Sequence, residues 1–321
     1  MRLLGRTLAR TADPWCPAPV HDVSVEPVIS LQGVTKHFGD HAALGGVDLE
    51  VGPGEIRGFL GPNGAGKTTA MRIIVGLLRA DEGTATVLGG DPWGDHAVRA
   101  DLGYLPSDPG LYGRMRGSEL LDHFAALSGR EPVLRAAAVD LLRFSNADLE
   151  RPVRTYSKGM RQKLGVLQAV QHDPLLLILD EPGEGLDPLV LSGLVELLRD
   201  RRDAGRAILF SSHVLAEVSA LCDRVTMIRD GAIVGEGTIA ELSSQRARTV
   251  VLELVDPATT IELPGCELTD RTGTRVTLQH HGDVGPLLQA LSLLDLHDVR
   301  IEEVSLDEVF MEYYRDHEAT A

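Results

Sequence analysis

The sequence predicts an α/β protein carrying a small α+β unit at its C-terminal end, and three observations lead there. Strand-like and helix-like patterns alternate along 175–228, as expected for a sheet flanked by helices. A glycine-rich loop joins a strand pattern at 55–60 to a helical pattern starting at Lys67. From about Arg248 the pattern changes to short strands around one helix.

The elements follow in order. The first 26 residues are irregular, with prolines at 14, 17, 19 and 27 framing their second half. Arg2, Arg6 and Arg10 fall on helical spacing, but the apolar stretch between them is too broken for a secretory signal. Residues 1–27 are therefore expected to be a disordered extension. Val47, Leu49 and Val51 alternate with polar residues and predict a strand. Pro53-Gly54 predicts a turn, 55–60 a second strand and 67–79 a buried helix. Leucine spacing predicts helices over 118–127 and 133–144, and another over 157–171. Strands over 175–180, 207–211 and 224–228 alternate with helices over 188–202 and 213–221. Asp230-Gly231 predicts a hairpin. Thr238 with Glu241, and Ser305 with Glu308, predict capping boxes. Beyond Arg248, strands are expected over 250–255, 275–278 and 299–304, and helices over 285–294 and 305–314. The division is thus 28–246 for the main domain and 247–321 for an accessory one.

Composition narrows the function classes. The chain has 321 residues, 43% hydrophobic and 24% charged, enough apolar material for a real core. A formal charge of -16 disfavours non-specific binding to nucleic acid and favours solubility. No apolar run approaches the ~20 residues of a membrane span. Cys16, Cys222 and Cys266 are far apart and are expected to be free thiols. His280 and His281, adjacent and without zinc spacing, are both expected at the surface.

Two motifs carry chemistry. Gly61-Pro62-Asn63-Gly64-Ala65-Gly66-Lys67-Thr68 matches the phosphate-binding pattern GxxxxGK[ST] in its required setting between strand and helix. Glycines let backbone N–H groups turn toward phosphate oxygens, and the helix N-terminus adds positive partial charge. Lys67 is expected on the β- and γ-phosphates and Thr68 on Mg2+, with Thr69 counted among the nucleotide-binding residues. The second motif is the run 175–179, five apolar residues followed by Asp180 and Glu181. A buried parallel strand looks like this, and its C-terminal end is where ligands sit in open α/β sheets. Asp180 is expected to hold Mg2+ and Glu181 to act as general base.

Between these motifs stands Tyr156-Ser157-Lys158-Gly159-Met160-Arg161-Gln162. Here the sequence resembles the ATP-binding-cassette family, in motif order and spacing, over about residues 29–242. The resemblance implies a P-loop NTPase cassette with an antiparallel β subdomain and a helical subdomain. It implies ATP and Mg2+ as ligands. Ser157 and Gly159 match the core of the family signature, which in a head-to-tail homodimer covers the γ-phosphate held by the opposite subunit. Phe38 stands where an aromatic ring stacks on adenine. Asp187, with Leu186, matches the loop that crosses the dimer interface, and His213 matches the histidine that contacts the γ-phosphate. Three places depart from the pattern. Tyr156, Lys158 and Met160 replace the usual Leu, Gly and Gln. Ser107 stands where the family has a lid glutamine. Gly183-Glu184 replace a Thr-containing turn.

The segment 306–314 resembles the tail of the drug and antibiotic exporter branch, of the daunorubicin-resistance kind. The resemblance implies an ATPase at the cytoplasmic face of the membrane, powering an exporter whose membrane-spanning permease subunits are separate chains. A cassette ATPase acting on ribosomes or DNA is the alternative. Against it, there is one cassette, and the 89 residues between Lys67 and Ser157 contain no sustained heptads.

Overall fold

The computed structural model describes residues 26–212, 214–239, 241 and 248–302. Three sheets organise them. Strands β1 (Ile29–Phe38), β2 (His41–Val51) and β4 (Glu82–Val87) form an antiparallel sheet in the order β2-β1-β4. The central sheet runs β5-β6-β7-β3-β8-β9, from β5 (Leu102–Leu105), β6 (Leu176–Asp180), β7 (Ala207–Ser212), β3 (Ile56–Leu60), β8 (Arg224–Arg229) and β9 (Ala232–Thr238). Its strands are parallel except for β9, which returns from β8 through the Asp230-Gly231 hairpin.

The central sheet is a partition, because strand side chains alternate between faces. Ile56, Leu60, Leu177, Leu179, Ile208 and Phe210 enter the core on one side; Phe59, Leu176, Ile178, Ala207 and Leu209 enter the core on the other. The first core is closed by helices α2 (Gly117–Ser128), α3 (Arg135–Leu141), α5 (Lys158–Val170), α6 (Pro188–Asp203) and α7 (Leu215–Leu221), with the short α4 (Asn146–Leu149) at its margin. The second lies under α1 (Lys67–Ile74) and the antiparallel sheet. All five residues of β6 are buried, the apolar 176–179 and Asp180 at its end, whereas Leu175, the first residue of the apolar run, is exposed and precedes the strand. Each fully buried leucine here contributes roughly 1.5–3 kcal/mol.

Helix α1 stops short of the expected 79. Gly76 takes φ +68, and a Cβ there would lie 2.0 Å from the carbonyl oxygen of Pro92. The chain must turn at that point although Leu77 and Leu78 continue the apolar pattern. The helix expected over 133–144 is likewise shorter, ending at Leu141. The capping box between Thr238 and Glu241 is present in both directions, at 2.7 and 3.0 Å.

Beyond Arg248 lies a separate antiparallel sheet in the order β11-β12-β10-β13, from β10 (Arg248–Leu254), β11 (Cys266–Thr272), β12 (Arg275–His280) and β13 (Leu296–Glu302). Helix α8 (Val284–Leu291) places Leu287 and Leu291 on Val250, Leu252, Leu254, Val276 and Leu278. His280 is not at the surface. It follows Val276 and Leu278 at period two, so it points inward and is 2% exposed. Burial pushes its pKa down, with Arg248 and His281 adding to the shift. His281 is exposed, as expected.

Among the described residues no helix is long and apolar enough to cross a membrane. His213, the N-terminal arginines, Cys16, the 246/247 boundary and everything expected beyond Glu302 lie outside the described residues.

Candidate active site

The end of β3 delivers the chain into the loop at 61–66, and two glycines are dictated by close backbone approach. A Cβ on Gly61 would sit 2.5 Å from the carbonyl oxygen of Ile228. Gly66 has φ +109, and its Cβ would meet the carbonyl oxygen of Ala43 at 2.6 Å. Ala65 is buried, accepts from the N–H of Gly231 at 3.0 Å and donates to Pro62 at 3.2 Å. The loop is thus clamped between β2 and the β8–β9 hairpin, with Asn63 and Gly64 facing a cleft.

Lys67 opens α1 and folds its side chain back over the loop. Its Nζ donates to the carbonyl oxygens of Gly61 at 2.5 Å and Pro62 at 3.1 Å. The side chain is 6% exposed. Burial lowers its pKa, and the charges of Glu181 and Asp180 oppose that shift. A buried ammonium held by two neutral carbonyls is poised for a stronger, charged acceptor.

At the end of β6, Asp180 is 1% exposed and fully engaged. Its Oδ2 accepts from Thr68 Oγ1 at 2.8 Å and its Oδ1 from Ser211 Oγ at 2.6 Å. Because Thr68 donates its proton to the carboxylate, its oxygen lone pairs remain for a cation. Among the described residues no group of three or more His, Cys, Asp or Glu could hold a metal. The oxygen set of Thr68 and Asp180 suits a hard cation that takes its remaining ligands from phosphate and water, which is the habit of Mg2+. The hydroxyl of Tyr104 is buried, with Arg72 beside it. Burial, then the charge of Asp180, raise its pKa.

Glu181 takes φ +54, rare for a residue with a side chain. Its Oε1 lies 4.0 Å from Lys67 Nζ. Phe38 ends β1 at 51% exposure. A cleft of about 330 Å3 is lined by Phe38, His41, Ala43, Asn63, Gly64, Gly66, Lys67, Thr68, Thr69, Ser107, Asp180 and Glu181. An exposed aromatic ring, the glycine-rich loop and two carboxylates therefore share one opening.

Three expected residues stand elsewhere. Ser157 is exposed and caps α5, its Oγ accepting from Met160 N at 3.2 Å. Gly159 packs on the next loop, where a Cβ would meet the carbonyl oxygen of Gly185 at 2.5 Å. Asp187 caps α6, accepting from the N–H groups of Leu189 and Val190 at 3.1 Å each. His41 and Ala43 in the cleft, and Ser211 as the group that orients Asp180, carry no separate signal in the sequence.

The family model described as ABC transporter matches residues 44–184. An uncharacterized ABC transporter ATP-binding protein of Bacillus subtilis, YdbJ, is 38% identical over 70% of this chain and 74% of its own length. The daunorubicin resistance ATP-binding protein DrrA3 of Streptomyces coeruleorubidus is 34% identical over 89% of this chain and 95% of its own. A solved ATP-binding subunit of an ABC transporter superposes with a TM-score of 0.64 at 28% identity, over 68% of this chain and 92% of that one. On the strength of such relatives, matched along most of their length, the chain belongs to the ABC transporter ATP-binding family and is one of its ATPases.

Proposed function

We propose that this ATPase powers export by a membrane transporter, working as a head-to-tail pair of cassettes beneath membrane-spanning permeases on separate chains. It would then act at the cytoplasmic face of the membrane. The observation that carries the reading is the convergence of Phe38, Lys67, Thr68, Asp180 and Glu181 on one 330 Å3 cleft. Support for export comes from the relative named for daunorubicin resistance, matched over 89% of this chain, too long a span for residues 28–246 alone. We assign 28–246 to the cassette and 247–321 to an accessory domain on the same grounds.

In this reading Phe38 stacks on adenine, and residues 61–69 cradle the phosphates. Lys67 exchanges its two carbonyls for phosphate oxygens. Thr68 and Asp180 hold Mg2+, which neutralises phosphate charge when bound. Glu181 orients the attacking water and takes its proton. Ser157 and Gly159 reach the nucleotide of the other subunit, with Asp187 at the contact and His213 near the γ-phosphate. Ser107 lines the cleft but carries no amide, so this cassette works without a glutamine at that position.

Lys67→Ala tests the binding half. ATP affinity is expected to fall at least ~10-fold, since charge-assisted contacts contribute ~1.5–3 kcal/mol each, and turnover is expected to vanish. Titration with a fluorescent ATP analogue measures the first. Unchanged affinity and turnover would remove Lys67 from the site. The transport half is tested in vesicles containing a co-purified permease: efflux should require ATP and be lost with Glu181→Gln.

A further inference from the structure

Glu181 must present its carboxylate to the cleft from a backbone conformation that side chains resist. Such a residue persists only where its surroundings over-determine it. Its N–H donates to Ser211, with the carbonyl oxygen at 3.2 Å and Oγ at 3.0 Å. Its carbonyl oxygen accepts from the N–H of Glu184 at 3.2 Å and from Gln162 Nε2 at 2.9 Å. Gln162 is the long-range tie among these two. It lies on α5, 2% exposed, and reaches across to the strand end.

Two more contacts join the same helix turn to the same loop. Gly159 lies so close to Gly185 that a Cβ would be 2.5 Å from its carbonyl oxygen. Lys158 pairs with Glu184, and these are two of the positions where the sequence departs from its family's usual residues. Further along α5, Gln168 Nε2 donates to the carbonyl oxygen of Tyr104 at 2.6 Å. The helix therefore splints the ends of both β5 and β6.

We infer that Gln162 is a positioning residue: by holding the Glu181 carbonyl it fixes the left-handed backbone that aims the Glu181 carboxylate. The assignment rests on the proposed role of Glu181. The pair Lys158–Glu184 and the Gly159 contact keep α5 close enough for the amide to reach. Ser157 caps the same end of α5, so the group proposed to serve the other subunit's nucleotide is braced against the group serving this one.

The amide is the part that acts, so the test removes the donor and keeps the volume. Gln162→Leu is expected to lower kcat at least ~10-fold, while KM for ATP and equilibrium ATP affinity stay within about twofold, because nothing in the phosphate loop is touched. Gln162→Glu supplies a second readout. An ionised carboxylate cannot donate, whereas a protonated one can. Its turnover relative to wild type, per folded molecule at each pH, should rise as pH falls from about 8 to about 6, a trend that a loss of folded protein cannot produce once it is divided out. Glu181→Gln, measured alongside, separates the two claims. If it retains turnover, the role of Glu181 is wrong and the inference falls with it. If it loses turnover while Gln162→Leu keeps wild-type kcat, Glu181 stands and the clasp is overturned. A flat pH ratio for Gln162→Glu also overturns it, including when Gln162→Leu fails to fold.

Discussion

Glu181 bears two electrostatic relations. Its negative charge partly restores the proton affinity that burial takes from Lys67, and it faces the place where a triphosphate would put more negative charge. Glu181→Gln keeps the shape, removes the charge and cannot accept a proton. ATP binding should therefore be retained or tightened, while turnover falls ~10²–10⁴-fold, the usual contribution of a general base. Steady-state phosphate release and nucleotide titration on the same preparation check both halves, and near-normal release would remove Glu181 from the role. Lys67 and Thr68 were legible in the sequence because the loop is contiguous and each residue has one chemical reason to be there. Asp180 and Glu181 were legible because five apolar residues point to a buried strand ending at them. Ser211 was not, because its partner Asp180 lies 31 residues away and a serine at a strand end has no distinctive chemistry. His280 was misread although its signal was present: it occupies the inward phase set by Val276 and Leu278.

Hydrophobic pattern predicted the buried helices and strands and failed at the edges. The strands β6 and β7 are buried along their whole length, so their composition alone marks them. Strand β11 is largely exposed and carries Glu267, Asp270 and Arg271, so nothing apolar announces it. Strand β4 is similar, with burial confined mainly to Val87. Helix α1 was overextended because its stop depends on the approach of Pro92, which a local pattern does not contain. Gly159 makes a case in which propensity and packing oppose each other. Alanine favours a helix over glycine by up to ~1 kcal/mol, but its Cβ would stand 2.5 Å from the Gly185 carbonyl oxygen. Backbone shifts of that kind cost ~1–3 kcal/mol, so Gly159→Ala should destabilise and slow turnover while sparing ATP binding. Denaturant unfolding reads the sign, and a more stable variant would mean that α5 does not pack this closely.

Ser157 lies outside the cleft that its own Lys67 lines, so its proposed role needs a second chain. In a head-to-tail pair, a Ser157→Arg chain mixed with a Lys67→Ala chain makes one site with both lesions and one with neither. Activity should return to a measurable fraction of wild type on mixing, although each variant alone is inactive. Heterodimers that form and remain inactive would contradict the arrangement. The strand order of the central sheet separates β3 from its neighbours in the order of synthesis. The phosphate-loop strand β3 lies between β7 and β8, with Ile56 opposite Ile208 and Arg57 opposite Arg224. Its partners are thus encoded some 150 residues downstream. At ~5–20 residues per second of synthesis, the nascent segment waits on the order of ten seconds or more with its edges unpaired. Through that interval neither edge of β3 has its native neighbour, and Phe59 and Leu60 wait for the sheet that buries them.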